Sequence, residues 1–392
     1  MIKTQQIKIV PNKHMLKAIN DLFNYRRYCW NQALGIWNDM YDESVILSDN
    51  SLMPNEYRVR NELVDNKQDW QYHLSARVLQ NSVSDLNKAW KNFFNPQMPD
   101  HARPRFKAKK NYKPTFTTDR AKIKQGKLLL DKPQGINKAV WYSIKMKEKP
   151  LFTGKLKLCT ITQKADGLYA SLVFDTQVVK ILPKKSGIAG VDVNVKRFNY
   201  NDGIVNVYPD KLEHYYERII YYQRMLARKR VANPYNFKTK RYMKVKTKLR
   251  HEYQKVNNLQ MDILHKFTTS LINQYDEIHI EDLNVKGMMM SKRMGKNLHR
   301  SMFGKLNEIL TYKCDWYNRK LVLVDRLYPS TQLCSECGFR KTKETYGGKQ
   351  GLSGDNIHHD HQTYYCYNCG AILDRDENAV RNIINYGQAL SI

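Results

Sequence analysis

Apolar residues recur every three or four positions in several stretches of the chain, and this period predicts amphipathic helices. The first two helices are predicted over Leu16–Trp37 and Leu79–Phe93. Between residues 115 and 174 the pattern changes to short apolar runs separated by turn residues, which is typical of strands. Ile7–Val10 has the same character and can return to pair with them. The first half of the chain therefore predicts a small β-barrel with a helical insertion.

The second half alternates strands with long helices, which predicts an α/β domain. Asn201-Asp-Gly203 is a hairpin signal between its first two strands. In chain order the predicted elements are Ile188–Val195, Ile204–Val207, the helices Leu212–Leu226 and Val245–Leu271, the strand Asp276–Ile280, the helix Phe303–Tyr317 and the strand Leu321–Val324.

Proline-rich segments mark the predicted domain boundaries. Pro96, Pro99 and Pro104 separate the helices from the strands, and Pro183–Gly187 is a predicted linker. The α/β multi-domain chain is predicted to comprise a β-barrel (residues 1–11 and 97–182), a helical domain (12–96), an α/β domain (187–329 and 371–392) and a cysteine-rich ribbon (330–370).

Four of the seven cysteines form two Cys-x-x-Cys pairs, Cys334 with Cys337 and Cys366 with Cys369, each followed by glycine. A two-residue gap lets both thiolates of a pair reach the same ion. Two such pairs supply the four sulfur ligands that zinc takes in a closed structural site. We therefore predict one structural Zn²⁺.

The formal charge of +29, from 66 basic and 37 acidic residues, predicts a polyanionic partner such as nucleic acid. The charge is concentrated, since residues 103–127 carry +9 and residues 211–250 carry +11. Low cysteine usage outside the two pairs favours a reducing compartment. No stretch has the apolar character of a signal peptide or a membrane span, so we expect a soluble intracellular protein.

Three acidic residues follow or interrupt apolar elements, where a fold can bring them to one edge of a sheet: Asp192, Glu281 and Asp376. Carboxylates at such an edge can hold the two Mg²⁺ ions that hydrolyse a phosphodiester. Neighbouring acids compete for these roles or serve as turn and cap residues, namely Asp282, Asp374 and Glu377.

These features in this order resemble the TnpB (OrfB) family of transposon-encoded RNA-guided DNA endonucleases, which is related to the type V CRISPR effectors. Four motifs carry the resemblance, over nearly the whole chain: Gly190–Phe198, Ile280–Met288, Tyr328–Gly338 and Asp374–Ile383. Arg103–Lys107 and the Leu79-Gln80 pair ahead of Ala89–Phe94 add weaker support.

The resemblance implies a RuvC-like, RNase H-type nuclease centre with the zinc ribbon inserted before its last acid. It assigns catalysis and magnesium binding to Asp192 in the strand, to Glu281 at the start of Glu-Asp-Leu, and to Asp376 rather than Asp374. The implied cofactors are two catalytic Mg²⁺ ions and one structural Zn²⁺. The implied location is the cytoplasm of a prokaryote, in association with the nucleoid.

Two features depart from the family pattern. Asn194 stands where the family has glycine two residues after the first acid, and asparagine tolerates unusual backbone angles. The 28-residue gap between the cysteine pairs is longer than usual in the family and contains His358, His359 and His361. These histidines either compete as metal ligands or belong to an exposed loop that contacts nucleic acid.

Candidate nucleic-acid contacts fall in three places. The polar face of the second helix carries Arg77, Gln80 and Asn81, which either read base edges or form a solvated face. The resemblance places the reading of a short target-adjacent motif around Gln80 and Thr117. Basic residues for the phosphate backbone are Arg103, Arg105 and Lys107 in one segment, and Lys244, Lys246 and Lys248 on a long helix.

The implied partners are a transposon-derived guide RNA, with one protein per guide, and a double-stranded DNA target. Two alternatives stay open. One is a nuclease-inactive, RNA-guided DNA-binding repressor of the same fold, which the three intact acids disfavour. The other is a guide-independent zinc-ribbon protein that acts as a DNA-binding accessory of transposition.

Overall fold

The computed structural model describes residues 1–110, 112–133, 135–137, 141–176, 182–185, 187–283, 302–342, 360 and 362–390. The chain divides into two compact units, Met1–Val178 and Val179–Ile392. None of the helices formed by the described residues is both long and apolar enough to cross a membrane.

The strands of the first unit form one antiparallel sheet. They are β1 (Ile2–Val10), β2 (Thr115–Thr118), β3 (Lys122–Lys124), β4 (Lys127–Leu129), β5 (Ile144–Met146), β6 (Lys155–Lys164) and β7 (Gly167–Asp175). Their order is β2-β6-β7-β1-β5-β4-β3. β1 pairs with β7 from Ile2 opposite Asp175 to Ile9 opposite Leu168. Every second residue of β7 is buried, so one face of the sheet packs on the core.

The helices of the first unit pack against this sheet and against one another. They are α1 (Lys13–Ile46), α2 (Glu56–Asp65), α3 (Asp69–Tyr72) and α4 (Ala76–Phe94). Asn12 caps α1, because its side-chain oxygen accepts a hydrogen bond from the Met15 N–H at 2.9 Å. The rings of Phe23 on α1 and Phe116 on β2 lie 5.5 Å apart. Helices and sheet therefore share one hydrophobic core.

The second unit is built on a mixed sheet of β8 (Ile188–Val193), β9 (Arg197–Tyr200), β10 (Gly203–Asn206), β11 (Glu277–Glu281) and β12 (Lys320–Val324). Their order is β10-β9-β8-β11-β12. β11 runs parallel to both β8 and β12, whereas β9 is antiparallel to β8 and β10. The carboxyl ends of β8 and β11 therefore meet at one edge.

Four helices belong to this unit: α5 (Asp210–Ala232), α6 (Lys240–Gln274), α7 (Phe303–Tyr317) and α8 (Arg375–Ala389). α5 and α6 pack as a hairpin, in which Arg230 donates to the Tyr242 hydroxyl at 3.1 Å and Arg218 pairs with Glu252 at 3.2 Å. A further antiparallel pair, β13 (Thr363–Tyr365) and β14 (Ile372–Asp374), leads directly into α8.

In the second unit, β9 was not predicted from the sequence, and neither was the pair of β13 and β14. The predicted strand Ile188–Val195 ends at Val193, because the chain turns where the Asn194 N–H donates to the Arg197 carbonyl at 3.0 Å. The chain then forms β9. The Asn201-Asp-Gly203 turn is confirmed, but it joins β9 to β10, with Gly203 opposite Tyr200.

Three sequence predictions lie beyond these observations. No pairing between described residues joins β2 to β3, so closure of the first sheet into a barrel stays a prediction. Residues 284–288 of the second family motif lie outside the described residues, and so do His358, His359 and His361.

Candidate functional site

Each Cys-x-x-Cys pair lies in a tight turn closed by a backbone hydrogen bond. The Gly338 N–H donates to the Cys334 carbonyl at 2.9 Å, and the Gly370 N–H donates to the Cys366 carbonyl at 2.8 Å. Both glycines have positive φ, +73° and +75°, a conformation that a residue with a Cβ adopts only with strain. The two turns are thus local structures of one kind that face each other.

The four Sγ atoms lie within 4.8 Å of one another. The distance is 3.8 Å from Cys334 to Cys369 and 3.6 Å from Cys337 to Cys366. A tetrahedron with Zn–S bonds of about 2.3 Å has edges of about 3.8 Å, so the spacing fits one zinc ion. Hydrogen bonds from the Phe339 N–H and the Asn368 amide lower the pKa of the Cys337 thiol to about 6, whereas burial raises the pKa of Cys334 to about 12.

The mixed sheet and α8 position the three predicted acids. Asp192 is the fifth residue of β8, and Glu281 is the last residue of β11. Ile280 pairs with Val191, which places Glu281 beside Asp192 where the two parallel strands end. Asp376 lies in the first turn of α8. The carboxyl ends of parallel strands are a usual place for ligand sites in α/β sheets.

Close packing of α8 against the sheet depends on Gly190. A Cβ at this position of β8 would lie 2.6 Å from the Val380 carbonyl oxygen and 2.7 Å from the Ile384 side chain. The absence of a side chain at Gly190 therefore lets α8 approach β8. This approach brings Asp376 toward the end of the strand that carries Asp192.

Asp374 has a different role from Asp376. It is the N-cap of α8, because its Oδ1 accepts hydrogen bonds from the N–H groups of Asp376 at 2.9 Å and Glu377 at 3.0 Å. Asp282, the other near rival, pairs with Arg326 at 2.6 Å, and both side chains are about half exposed. These contacts favour the predicted choice of Asp376 and Glu281 for the site.

Each of the three acids accepts a hydrogen bond from a side chain that the sequence did not single out as a partner. Asn194 donates to Asp192 at 2.8 Å, and Ser330 donates to Glu281 at 2.6 Å. Arg197 and Asn199 both donate to Asp376 at 2.8 Å. Asn194 does not have positive φ. At this position, where the family has glycine, the Asn194 side chain therefore donates a hydrogen bond to the first acid.

The carboxylates also interact through their charges. Burial, together with the negative charges of Glu281 and Asp376, raises the pKa of Asp192 to about 7. Burial raises the pKa of Glu281 as well, and the Ser330 hydroxyl opposes that rise. Asp192 is 5 % exposed and Asp376 7 % exposed, so water screens this repulsion poorly. A bound cation would remove it.

The acids do not converge to the same degree as the thiols. Among the described residues, the cysteines are the one group of three or more potential ligands whose atoms all lie within 4.8 Å. The donor set nevertheless fits Mg²⁺, which prefers oxygen ligands. Asn199 contributes a buried side-chain oxygen without a hydrogen-bond partner among the described residues. A cavity of about 270 Å³ opens beside Asp376, lined by Arg197 and Asn199 among others.

Residues 330–335, called the polar strap below, connect the acids to the ribbon through hydrogen bonds. The Asn382 amide donates to the carbonyls of Ser330 and Leu333, both at 2.8 Å. Asn378 donates to the Leu333 carbonyl at 2.6 Å and accepts from the Ser335 N–H at 2.8 Å. The segment 330–335 thus reaches Glu281 through Ser330 at one end and contains the ligand Cys334 at the other.

Four predicted base-reading residues lie together in the first unit. Asn81 on α4 donates to the Thr117 carbonyl of β2 at 3.4 Å. Arg77 donates to Gln80 at 2.7 Å and pairs with Asp119 at 3.6 Å. Gln80 and Arg77 therefore satisfy each other, and base contacts would require them to exchange partners.

The predicted backbone contacts are also accessible. Arg103 and Arg105 are exposed, whereas Lys107 is half-buried with its ammonium over the Trp30 ring. Lys244, Lys246 and Lys248 are all exposed on α6. Tyr242 and Val245 are the buried positions of this part of α6, so the helix is amphipathic here.

Two family models match the second unit and the end of the first. The OrfB_IS605 model, described as "Probable transposase", matches residues 172–292, and the "Cas12f1-like, TNB domain" model matches residues 303–383. A "TnpB-like protein L79" of Acanthamoeba polyphaga mimivirus is 30% identical over 158 residues, 39% of this chain and 27% of that protein. These matches support an assignment of the chain to the TnpB (OrfB) family.

Longer alignments connect this chain to two bacterial relatives. A "Putative RNA-guided DNA endonuclease" of Streptomyces pristinaespiralis is 26% identical over 324 residues, 81% of this chain and 73% of the relative. The "Putative RNA-guided DNA endonuclease InsQ" of Escherichia coli (strain K12) is 25% identical over 341 residues, 82% of this chain and 77% of the relative.

A solved structure shares the fold of this chain. The protein in the "Cryo-EM structure of the Cas12f1-sgRNA-target DNA complex" superposes with a TM-score of 0.52 at 14% identity, over 98% of both chains. The similarity at this identity concerns the fold, and it spans both units.

Proposed function

We propose that this TnpB protein is a transposon-encoded, RNA-guided DNA endonuclease that cleaves at a RuvC-like site in its second unit. The observation that carries the proposal is the placement of Asp192, Glu281 and Asp376. Three carboxylates from β8, β11 and α8 are brought close enough for two of them to raise the pKa of the third. The family membership and the names of the relatives support the same function.

The three acids would hold the two Mg²⁺ ions, which supply activation of the attacking water and stabilisation of the leaving oxygen. The residues of the chain hold the acids in place. Asn194, Ser330 and Asn199 each fix one carboxylate through a hydrogen bond of 2.8 Å or less. Outer donors of this kind orient ligands and tune their basicity.

Nucleic-acid binding follows from the charge and from the family. Guide RNA pairing would supply target specificity, while the protein would read a short motif beside the target. We assign motif reading to Arg77, Gln80, Asn81 and Thr117, which lie together on α4 and β2. Arg103, Arg105, Lys107, Lys244, Lys246 and Lys248 would contact the backbone of RNA or heteroduplex, with one protein per guide. Zn²⁺ on the four cysteines would fold the ribbon.

The test uses the full-length protein purified with its copurifying RNA. That RNA is sequenced, and a plasmid carrying the matching target beside a randomised flank is incubated with Mg²⁺ or with EDTA. We expect cutting with Mg²⁺ alone, and its loss in Asp192→Ala, Glu281→Ala and Asp376→Ala while guide-directed DNA binding persists. Asp374→Ala is the matched control, because loss of a cap costs about 0.5–2 kcal/mol of helix stability but removes no ligand.

Two outcomes contradict the proposal. Binding of matched DNA by the wild-type protein without any Mg²⁺-dependent cutting would reassign the chain to an RNA-guided repressor. Absence of a defined RNA, with DNA binding intact, would favour a guide-independent accessory protein. Cutting that persists in Asp376→Ala and disappears in Asp374→Ala would exchange the roles of those two acids.

A further inference from the structure

A cationic cavity of about 410 Å³ lies in the first unit, between α1 and the segment that follows Arg103. Four basic side chains line it: Arg26, Arg105, Lys107 and Lys113. None of the described residues lining it is acidic. The exposed ring of Phe106 lies at the same cavity. The nuclease site of the second unit does not include any of these residues.

The segment 105–107 is held by hydrogen bonds to its backbone, which do not use the charged ends of Arg105 and Lys107. The Trp30 indole donates to the Arg105 carbonyl at 3.0 Å. Asn31 accepts from the Lys107 N–H at 2.8 Å and donates to the Lys107 carbonyl at 3.2 Å. The segment 105–107 is therefore pinned to α1, and its side chains start from fixed positions.

The positive charges of the cavity are only partly neutralised by the protein. Asp85 on α4 pairs with Arg26 at 2.6 Å, and the Tyr112 hydroxyl lies 3.3 Å from the same guanidinium. No carboxylate among the described residues forms an ion pair with Lys107, whose ammonium lies over the Trp30 ring. A cation–π contact alone stabilises a lysine modestly.

The electrostatics of Lys107 favour an anion beside its ammonium group. Burial and the nearby Arg26 charge lower the pKa of Lys107 to about 7, and Asp85 only partly opposes this shift. A bound anion would restore the charge of Lys107 and complete the cavity.

We propose that this cavity binds one backbone phosphate of a nucleic acid, with Lys107 and Arg105 donating to the phosphate oxygens. Arginine and lysine are the side chains suited to phosphate, arginine through its planar fork and lysine through a concentrated charge. The Phe106 ring offers a stacking surface for the adjacent base. The phosphate can come from guide RNA or from DNA. The proposal rests on the proposed function only in that the chain must bind nucleic acid, and it does not require cleavage.

The first experiment measures binding of fluorescein-labelled single-stranded RNA and DNA of the same sequence by the full-length protein across a KCl series. Lys107→Gln should weaken binding about tenfold at low salt and reduce the slope of log K against log [KCl] by about 0.7, one charge on a single strand. The matched control is Lys109→Gln, an exposed lysine of the same segment outside the cavity, which should change affinity less than twofold. A loss confined to RNA assigns the phosphate to the guide, and a loss confined to DNA assigns it to the target.

The second experiment repeats the binding between pH 6.5 and pH 9. Only the protonated ammonium of Lys107 carries the positive charge that attracts a phosphate. The affinity of the wild-type protein for nucleic acid should therefore fall as pH rises above about 7, by at most tenfold per pH unit. Lys107→Arg keeps the charge at every pH and should bind within about threefold of wild type at pH 7, without that decline. The other charged or titratable groups around the ammonium, Arg26, Arg105, Asp85, Tyr112 and Lys113, are unchanged in this variant.

Equal effects of Lys107→Gln and Lys109→Gln would overturn the proposal, because they would show an ordinary exposed charge. So would a pH dependence that persists in Lys107→Arg, since another group would then be titrating. Thermal unfolding of each variant ensures that a misfolded protein is not counted as a loss of binding. Failure of the proposed nuclease function would appear as missing cleavage with all these binding differences intact.

Discussion

The two candidate metal centres of the second unit differ in how far their ligands are assembled in the protein alone. Four thiols lie within 4.8 Å of one another, whereas the three carboxylates do not form such a group. The thiols are held by two tight turns with positive-φ glycines. The carboxylates come from two strands and a helix, and their charges oppose each other.

This difference has a physical cause in the ligands themselves. A thiol carries no charge while it keeps its proton, and burial favours that form at Cys334, so the thiols can approach with less repulsion than carboxylates. Carboxylates are ionised near neutral pH and repel at short range unless a cation or a proton intervenes. We infer that the ribbon is close to its metal-bound geometry, while the acid site closes fully only when it is loaded.

Removal of one thiol should have the largest effect. Cys366→Ser leaves three sulfur ligands on an ion whose binding energy is also folding energy, in simple zinc peptides about 10–16 kcal/mol. We expect the purified variant to lose its zinc, to about zero from about one per chain, and to unfold locally around the ribbon. Elemental analysis and limited proteolysis measure this. Full zinc retention would remove the four-cysteine assignment and promote the histidines between the pairs.

Neutralising one carboxylate should stabilise the metal-free protein, whereas removal of a thiol destabilises the ribbon. The folded-state pKa of Asp192 is raised from 3.8 to about 7, so its ionisation destabilises the metal-free protein as pH rises through that window. Asp192→Asn removes this cost while it keeps an acceptor for Asn194. In EDTA at pH 8 the variant should be more stable by about 2–4 kcal/mol.

The check on Asp192→Asn is its own pH dependence. Below about pH 4 the wild-type acid is protonated in both folded and unfolded protein, so the gain should vanish. The variant should also cut no DNA in Mg²⁺, which separates stability from activity. A variant that melts below wild type at pH 8 would show that the acids do not repel each other in the metal-free site.

The sequence predicted the ribbon and the three acids more readily than the residues that hold them. Cysteine spacing is a local signal, and the strand ends at Asp192 and Glu281 follow from short apolar runs. Ser330 and Asn382 meet only through the packing of α8, which depends on Gly190 and on tertiary contacts that no local pattern encodes. β9 was missed because the tight turn at Asn194 has no strong turn residue after it.

The seven-stranded sheet of the first unit illustrates the same limit. Five of its strands were recognisable from apolar runs, whereas the short strands β3 and β5 were not. The pairing of β1 with β7 spans more than 150 residues of chain, which no local pattern predicts. Asn194 is the sharpest case in the site. Its position two residues after Asp192 is evident in the sequence, where the tolerance of asparagine for unusual backbone angles explained its presence. The hydrogen bond to Asp192 depends on a side-chain direction that the sequence does not state.

The smallest predicted effect tests whether Ser330, on the segment that leads to the zinc ribbon, positions Glu281 in the acid site. Ser330 donates to Glu281 at 2.6 Å, is 4 % exposed, and its carbonyl accepts from Asn382 on α8. Ser330→Ala removes the donor and leaves the backbone bond to Asn382 in place. Loss of such an outer hydrogen bond typically costs about 10–100-fold in metal affinity or activity. We expect a right-shifted Mg²⁺ dependence of cleavage, weaker Tb³⁺ luminescence at the acid site, and unchanged zinc content.

Ser335→Ala is the matched control for this positioning role. Ser335 lies on the same strap, and its buried hydroxyl has no hydrogen-bond partner among the described residues. Its removal should therefore leave both metal ions and cleavage nearly unchanged. Ser330→Thr, which keeps the hydroxyl, should recover most of the Mg²⁺ affinity that Ser330→Ala loses. If Ser330→Ala and Ser335→Ala behave alike, the hydroxyl of Ser330 does not position Glu281, and the strap serves only to attach the ribbon to α8.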